Sequence, residues 1–423
     1  MTSILIASCN LFDSVQQQVL PPSSILIVGD RFATVTTESS PAVQADRTIL
    51  ATGLTAIPGL VNLHTHPERR HARFFLEQLT PPRNEGRSMM SLSDAVAGSI
   101  DALPDPLRMA WAIRNAWVEL LKDGVTTQRT AGTKDDLYIE LKRAFAGQPF
   151  TGPRIIATGA FLAMTGGHAT HGIMGGVEVD GVEEMRKAVR ADLKAGAEWI
   201  KVCVSGGLAD IDQGRKASMV EFSEDEVRVA ADEAHMRGRK VMVHGNSARG
   251  VKMAIRAGVD CIEHGSLLDD EAIDMMSRAG VAFVPTMSGL RNVYEVQRAV
   301  GDERIVELLW EAISQHQEVV SKCVDAGIPI GTGTDSLGHM HQEIGMLVDC
   351  GMSRSQALAA ATLGSAHILG LDGTIGSIEE GKQADLVLVD GDPTKDVAAL
   401  RRVREVIIGG RVASPELLMN GLE

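Results

Sequence analysis

Two histidines separated by a single residue end a short apolar run in the stretch PGLVNLHTHPE, residues 58–68. Alternate side chains of an extended strand point to the same face, so His64 and His66 are expected on one side of the chain. Imidazole is the commonest metal-binding side chain, and two imidazoles on one side can chelate a single divalent ion. The spacing therefore predicts metal binding at the end of this strand.

A lysine lies in the middle of another apolar run, EWIKVCVSGG, residues 198–207. Strand alternation places Ile200 and Val202 on one face, and Lys201 and Cys203 on the other. Lysine is rarely buried unless a partner compensates its charge. The alternatives are a lysine that reaches solvent with a buried stem or forms a salt bridge, and a lysine that takes part in a site.

Further polar residues follow other strand-like runs, namely His244, His264 and Asp335. A lone histidine is usually a hydrogen-bonded polar residue, and Asp335 could cap the next helix. All these residues fall at the same end of an alternating pattern, however, which favours a shared metal site. The predicted ligands are His64, His66, Lys201, His244, His264 and Asp335, although a lysine qualifies only after modification. Other histidines lie in helix-like segments and are interpreted as surface or packing residues: His235, His316 and His367.

Strand-like runs alternate with helix-like segments through the middle of the chain. In residues 181–197, apolar side chains recur at helical spacing, and Ser223 and Glu226 have the spacing of a capping box at the start of residues 223–239. Alternating strands and helices imply a parallel sheet, and eight such units fit a distorted (β/α)8 TIM-type barrel of the α/β class. Active sites of such barrels lie at the carboxyl ends of the strands. No GxGxxG motif follows the first strand, which argues against a dinucleotide-binding fold.

The two ends of the chain differ from its middle. Both consist of short strand-like runs bounded by Gly and Asp turn residues, for example SSILIVGDRFATV near the start and GKQADLVLVDGDP near the end. We therefore predict a small β-sandwich domain formed by residues 1–55 plus 370–423. The catalytic barrel domain is predicted to span residues 56–369.

Composition limits the class of protein. The chain has 423 residues, a hydrophobic fraction of 44% and a formal net charge of −14, which argues against nucleic acid or an anionic membrane surface as the main partner. The five cysteines form no CxxC pair, which is typical of reduced thiols in a cytosolic protein. The N-terminus lacks the pattern of a signal peptide or membrane span. The sequence predicts a cytoplasmic protein that acts on a small-molecule substrate.

Several motifs together resemble the metal-dependent amidohydrolase superfamily. The HxH of the first strand, IEHGS (262–266) and GTGTDS (331–336) match its strand ends, and the segment 376–393 is similar to its return into a small β-domain. Within the superfamily the chain is most similar to the imidazolonepropionase-related group. That group includes prolidase-like dipeptidases and carboxypeptidases of N-acyl amino acids. TGGH, which ends at His168, and IKVCVSGG carry this closer match.

The resemblance implies a binuclear metal centre. Lys201 would be carboxylated by carbon dioxide and bridge two divalent ions, because burial depresses a lysine's pKa and leaves a neutral amine that can attack carbon dioxide. Zinc suits histidine and carboxylate-like ligands, with manganese, cobalt or iron as alternatives. The resemblance assigns His64, His66 and Asp335 to the more buried ion and His244 and His264 to the second ion.

The same resemblance implies a mechanism. A hydroxide between the metals would attack an amide carbonyl, and Asp335 would accept its proton and pass it to the leaving amine. His168 would stabilise the developing oxyanion, with His171 as the competing candidate. Relatives carry a tyrosine that binds the substrate's α-carboxylate at the position of Asn246.

Because this chain has Asn246 in place of that tyrosine, the residue that would bind a substrate α-carboxylate is left open. Arg129 or Arg291 could supply a cation for a carboxylate, and a surface or structural ion pair is the alternative for both. The leading hypothesis is hydrolysis of a dipeptide or N-acyl amino acid by a homo-oligomer. The alternatives are hydrolysis of a cyclic amide, urea or carbamate, deamination, and a barrel without catalytic activity.

Overall fold

The structure is a computed structural model of the 423-residue chain. It describes residues 2–38, 43–69, 104–133, 135–146, 151–168, 170, 175–207, 217–300 and 303–414. His171, the alternative to His168, lies outside these residues.

Strands and helices are numbered here in chain order. The strands are β1 (Ser3–Asp13), β2 (Gln18–Val28), β3 (Arg31–Thr36), β4 (Arg47–Leu50), β5 (Leu54–Pro58), β6 (Leu60–Thr65), β7 (Val125–Thr130), β8 (Arg154–Ile156), β9 (Thr158–Ala163), β10 (Val177–Glu178), β11 (Trp199–Cys203), β12 (Lys240–Ser247), β13 (Cys261–Leu267), β14 (Ala282–Val284), β15 (Leu386–Asp390), β16 (Val403–Ile408) and β17 (Arg411–Ala413).

The helices complete the set. They are α1 (Asp105–Asp123), α2 (Leu137–Ala146), α3 (Gly181–Ala195), α4 (Glu224–His235), α5 (Ala248–Ala257), α6 (Asp270–Ala279), α7 (Met287–Val300), α8 (Glu303–Asp325), α9 (Met340–Asp349), α10 (Arg354–Ala359) and α11 (Ser365–Leu369), with a π-helical turn at Ala360–Gly364 and a 3-10 turn at Val397–Arg401. None of the helices in the described part of the chain is long and apolar enough to cross a membrane.

Strands from both ends of the chain form one sheet. Its order is β17-β16-β15-β5-β1-β2-β3, and β4 pairs with β1. The junction is antiparallel, with Leu386 of β15 opposite Pro58 of β5. Ile6, Ile25 and Leu386 are fully buried in one hydrophobic cluster of this sheet, so apolar side chains from both ends share a core.

The middle of the chain forms two parallel sheets. One has the order β10-β9-β11-β12-β13-β14 and the other β6-β7-β8. On one side a single β-bridge from Thr133 to Ala160 links them. On the other side the eighth strand-like run, GIPIGTGTDS (327–336), lies between them, with one bridge from Ile330 to Phe283 of β14 and one from Asp335 to Thr65 of β6. The predicted parallel α/β organisation is confirmed, although the two sheets form no continuous closed ladder within the described residues. The eighth strand-like run is reduced to bridges at Ile330 and Asp335.

The strand that carries Lys201 packs as its alternation predicts. Ile200 and Val202 lie in the same hydrophobic cluster as Val189 of α3 and Val227 of α4, so this face of β11 is covered by helices. The predicted capping box is also present, because the Ser223 backbone N–H donates to Glu226 at 2.8 Å at the start of α4. The opposite face of β11 is therefore directed away from the helices, and Lys201 lies on it.

Candidate metal centre

Three predicted ligands lie together at the carboxyl end of β6, where Thr65 bridges to Asp335. One ligand atom each of His64, His66 and Asp335 falls within 4.8 Å of the others. The backbone N–H of Asp335 donates to the His64 carbonyl at 2.8 Å, which holds the end of the eighth run beside β6. His66 Nε2 is 3.7 Å from Asp335 Oδ1. Two neutral imidazoles and a carboxylate form a donor set that suits zinc and similar divalent ions.

The two other predicted histidines adjoin this group. The His264 ring centre is 4.8 Å from that of His64 and 4.5 Å from that of His244. The His168 ring stacks on His244 with a centre-to-centre distance of 4.2 Å. The carboxyl ends of neighbouring parallel strands thus bring together side chains that are distant in sequence, as expected for this fold.

In His64, His66 and His264 the ring nitrogen Nδ1 lies within hydrogen-bond distance of another side chain. His64 Nδ1 is 2.6 Å from a carboxylate oxygen of Glu263, His66 Nδ1 is 3.2 Å from the Tyr138 hydroxyl, and His264 Nδ1 is 2.7 Å from Thr286 Oγ1. A partner at Nδ1 leaves Nε2 to face the group. Such hydrogen bonds fix the orientation of a metal-binding histidine.

Burial keeps these histidines in the form that binds metals. Desolvation lowers the pKa of His64, His66, His244 and His264 well below the usual value, and the positive charge of Lys201 lowers each of them further. Removing an imidazolium from water is costly. The rings are therefore neutral at pH 7, as metal coordination requires.

Lys201 is buried without a hydrogen-bond partner. Its side chain is 1% exposed, and Nζ contacts no acceptor among the described residues. Burial lowers the pKa of this amine, although the nearby Glu263 acts in the opposite direction. A buried amine that lacks a partner is costly, and a carboxylated lysine bound to cations would remove that cost. The donor set and the unpaired amine therefore fit the metal centre that the sequence predicts.

Asp335 and His264 have backbone conformations that are uncommon for residues other than glycine. Their φ angles are +54° and +70°, which lie in the left-handed region that residues with a Cβ atom usually avoid. Burial raises the pKa of the Asp335 carboxyl, and the Ser336 backbone N–H opposes this by donating to it at 2.7 Å. Strained backbone of this kind concentrates at functional sites.

The predicted substrate residues have defined contacts. The His168 backbone N–H donates to Glu221 at 2.7 Å. Asn246 is 2% exposed, and its Nδ2 lies 3.1 Å from His244 Nε2 and 3.3 Å from the Gly206 carbonyl oxygen. The Asn246 side chain thus contacts a predicted metal ligand, and its amide is used within the protein.

The two arginines considered as substrate-binding cations, Arg129 and Arg291, differ in their burial and in their partners. Arg129 is fully buried, and its Nη2 is 2.7 Å from Glu263 Oε1, so the structure favours the structural ion pair over a substrate cation. Arg291 on α7 is partly exposed and pairs with Glu295 at 3.1 Å. Neither arginine contacts the predicted ligand group through a hydrogen bond among the described residues.

The histidines interpreted as surface or packing residues occupy helices. His235 and His367 are partly or largely exposed and pair with Asp260 and Asp372. His316 is buried on α8, and desolvation lowers its pKa to about 4.

The sequence patterns do not predict the residues that hold the ligand rings: Glu263, Tyr138 and Thr286. Glu263 had a local signal, because it directly precedes His264 in IEHGS and lies in a buried strand. Tyr138 lies on a helix remote from its partner in sequence, and no spacing rule connects the two residues.

The sequence profile of the Amidohydrolase family matches residues 55–413. The chain belongs to the amidohydrolase family. The predicted resemblance is confirmed, and the match extends from the end of the N-terminal strands almost to the end of the described residues.

Known proteins similar to this amidohydrolase include an ochratoxinase from Aspergillus niger, 28% identical over 323 residues. That alignment covers 69% of this chain and 65% of the ochratoxinase, so it spans just under two thirds of the relative. A crystal structure of a Xaa-Pro dipeptidase with bound methionine is 30% identical, with a TM-score of 0.83 and coverage of 98% of this chain and 100% of that one. A prolidase complexed with N-methylphosphonate-L-proline is 26% identical, with a TM-score of 0.81 and the same coverage. These neighbours indicate a TIM-barrel-like α/β domain in this amidohydrolase.

Proposed function

We propose that the protein is a binuclear metal-dependent hydrolase that cleaves a peptide-like C–N bond. The observation that carries the proposal is the unpaired amine of Lys201, buried where its charge acts on the four histidines and Asp335. A chain without a metal centre gains nothing from this arrangement, because a buried unpaired amine and a strained Asp335 backbone both lower stability.

The residues divide between two ions. His64, His66 and Asp335 would hold one divalent ion, His244 and His264 the other, and carboxylated Lys201 both. When bound, the two cations would polarise the scissile carbonyl and lower the pKa of water enough to supply hydroxide at neutral pH. The chain's own contribution is to hold neutral imidazoles and a partly buried carboxylate in place before substrate arrives.

Asp335 is proposed as the group that moves the proton. Its carboxylate takes the proton released by the attacking water and delivers it to the leaving nitrogen, so that one amide and one water give one carboxylic acid and one amine, which at neutral pH are a carboxylate and an ammonium group. The raised pKa of its partly buried carboxyl supports both roles. His168, stacked on His244, would donate a hydrogen bond to the oxygen of the former carbonyl as negative charge develops there.

The proposed substrates are dipeptides, with those ending in proline tested first. The Xaa-Pro dipeptidase and the prolidase complex both align over nearly the whole of this chain, which supports a peptide bond to proline. N-acyl amino acids are the second class, because the group that the sequence resembles includes carboxypeptidases that act on them. We also propose that residues 1–55 plus 370–423 form the small domain and residues 56–369 the catalytic one.

The test is a hydrolysis screen of the zinc-reconstituted protein together with a metal count. The screen contains Xaa-Pro dipeptides, N-acyl amino acids, cyclic amides and dipeptide amides that lack a free carboxylate. We expect two metal ions per chain and turnover of the free dipeptides, and much weaker turnover after Asp335→Asn. Zinc binding without hydrolysis of any of these amides would contradict the proposed function, and turnover restricted to cyclic amides would contradict the peptidase assignment.

A further inference from the structure

Glu263 lies among the predicted metal ligands, but both of its oxygens are already used. Oε2 is 2.6 Å from His64 Nδ1. Oε1 is 2.7 Å from Arg129 Nη2 and 3.1 Å from the Cys261 thiol. The carboxylate is fully buried, so it is held between an imidazole and a guanidinium instead of pointing toward the ligand atoms.

Arg129 connects this carboxylate to the backbone beside His64. Its Nε donates to the Leu63 carbonyl at 2.7 Å, and its guanidinium lies 4.3 Å from the centre of the Trp199 ring. Arg129 therefore braces Glu263 from one side and the residue that precedes His64 from the other. A planar donor of this kind suits a buried site where two acceptors must be held in fixed directions.

We propose that Glu263, supported by Arg129, is a positioning residue that fixes the ring orientation and tautomer of His64. A carboxylate can only accept, so the hydrogen bond to Glu263 places the ring proton of His64 on Nδ1. Nε2 then carries the lone pair and faces His66 and Asp335. Without this partner the ring can rotate or exchange tautomers, and Nε2 is no longer presented in one direction.

Arg129 also keeps the Glu263 carboxylate from acting as a metal ligand. An isolated carboxylate beside a cation site would compete to become a ligand itself, and its burial would be costly. The ion pair to Arg129 neutralises Glu263 and occupies the oxygen that His64 does not use. The pair thus supplies a strong acceptor to the histidine without adding a ligand to the centre.

This inference rests on the proposed metal centre, and its test is independent of hydrolysis. The variants are Glu263→Gln and, as the matched control, Glu233→Gln. Glu233 is also a fully buried carboxylate held by arginines, with Arg186 at 2.8 Å and Arg190 at 2.7 Å, but it lies between the outer helices α3 and α4. Both variants remove one buried charge paired with arginine. In Glu263→Gln the single amide oxygen is taken by Arg129, which can only donate, so the amide NH2 faces His64 Nδ1 and can no longer accept its proton.

Two properties are measured on the full chain. The first is the protonation of the histidine nitrogens in the metal-free, ¹⁵N-histidine-labelled protein, observed by long-range ¹H–¹⁵N correlation, with His64→Asn used to assign the signal. The second is zinc affinity by chelator competition, together with the visible spectrum of the cobalt-substituted protein. We expect Glu263→Gln to lose the Nδ1-protonated signal of His64, to bind zinc about 10- to 100-fold more weakly and to alter the cobalt spectrum. Glu233→Gln is expected to leave all three unchanged.

The proposal is overturned if Glu263→Gln retains either the Nδ1-protonated signal or the wild-type zinc affinity. If this variant does not fold, Glu263→Asp takes its place, because it keeps the charge for Arg129 while it withdraws the oxygen from His64. The same losses are then expected, and wild-type values again overturn the proposal. A wild-type protein that binds zinc but hydrolyses no amide would contradict the proposed function and leave this assignment intact.

Discussion

The side-chain nitrogen of Lys201 lies 5.3 Å from the centre of the Phe161 ring. Lys201 and Phe161 are paired residues on the neighbouring strands β11 and β9. An aromatic face attracts an ammonium group, but it does not replace the hydrogen bonds that the group loses on burial. The Phe161 ring therefore covers one side of Lys201, and its nitrogen has no acceptor among the described residues.

Replacement of Lys201 tests whether the buried amine becomes a bridging ligand. Lys201→Met keeps the volume and removes the nitrogen, so we expect fewer than two metal ions per chain. We also expect kcat/KM to fall roughly 100-fold or more, equivalent to about 2.7 kcal/mol. In the wild-type protein, ¹³C-bicarbonate should give a carbamate signal by NMR that the variant lacks.

Lys252→Met is the matched control for this experiment. Most of the Lys252 side chain is buried, and its ammonium group forms ion pairs with Asp269 and Glu271 on the surface. Its replacement should leave metal content, the carbamate signal and kcat/KM unchanged. A full complement of two metals in Lys201→Met would show that the lysine does not bridge them.

Asn246 is expected to act through His244. Its amide contacts His244 Nε2 and the Gly206 carbonyl, and its oxygen accepts from the Ser266 backbone N–H at 3.3 Å. Asn246→Ala removes a group that orients a predicted ligand, so we expect lower zinc affinity and a kcat roughly 10- to 100-fold lower. Steady-state kinetics with the best substrate separates this from a recognition role, for which KM would rise while kcat and zinc content stay at wild-type values.

Local sequence patterns were sufficient for the strand that carries Lys201. Alternation in β11 predicted which side chains meet the helices, and the predicted capping box begins α4. Both predictions depend on residues within one helical turn or one strand, where the backbone geometry fixes the direction of each side chain. The HxH spacing likewise predicted two histidines on one side, and their ring centres are 5.5 Å apart.

The partners that hold the site could not be predicted in the same way. Glu263 and Arg129 are separated by 134 residues, and their pairing depends on how strands meet across the sheet. The eighth run, GIPIGTGTDS, is rich in glycine and forms only single bridges, and its glycines let the backbone lie close to neighbouring side chains. A Cβ at Gly333, for example, would lie 2.7 Å from that of His64.

Gly207 provides a test of the position of His168. A Cβ added at Gly207 would lie 2.1 Å from Cε1 of the His168 ring, so Gly207→Ala must displace this ring from His244. If His168 donates to the developing oxyanion, we expect kcat to fall about 100-fold with little change in zinc content. Kinetics and a metal count on the purified variant measure both.

Gly345→Ala is the control for this substitution. Gly345 lies inside α9 with no atom within contact distance of an added Cβ, so alanine should stabilise the helix by up to about 1 kcal/mol and leave kcat unchanged. Wild-type kcat in Gly207→Ala would show that His168 is not required where the structure places it.

The ion pairs of Glu233 predict a pH-dependent contribution to stability. Hydrogen bonds from Arg190, with those from Arg186 and Arg237, lower the pKa of Glu233 to about 2. A carboxyl whose pKa is lower in the folded state stabilises the fold above its unfolded pKa of about 4.3, and this contribution is lost as pH falls toward 2. Glu233→Gln should therefore lower the free energy of unfolding at pH 7 by about 1–2 kcal/mol.

The difference between wild type and Glu233→Gln should stay constant from pH 7 to about pH 5 and shrink between about pH 4.5 and pH 2. Urea denaturation of both proteins across this range measures it. Glu224→Gln serves as a comparison, because Glu224 also pairs with two arginines, Arg228 and Arg256, but is partly exposed. Water screens that cluster, so we expect a smaller loss. A difference for Glu233→Gln that persists undiminished at pH 2 would mean that the paired charge is not its source.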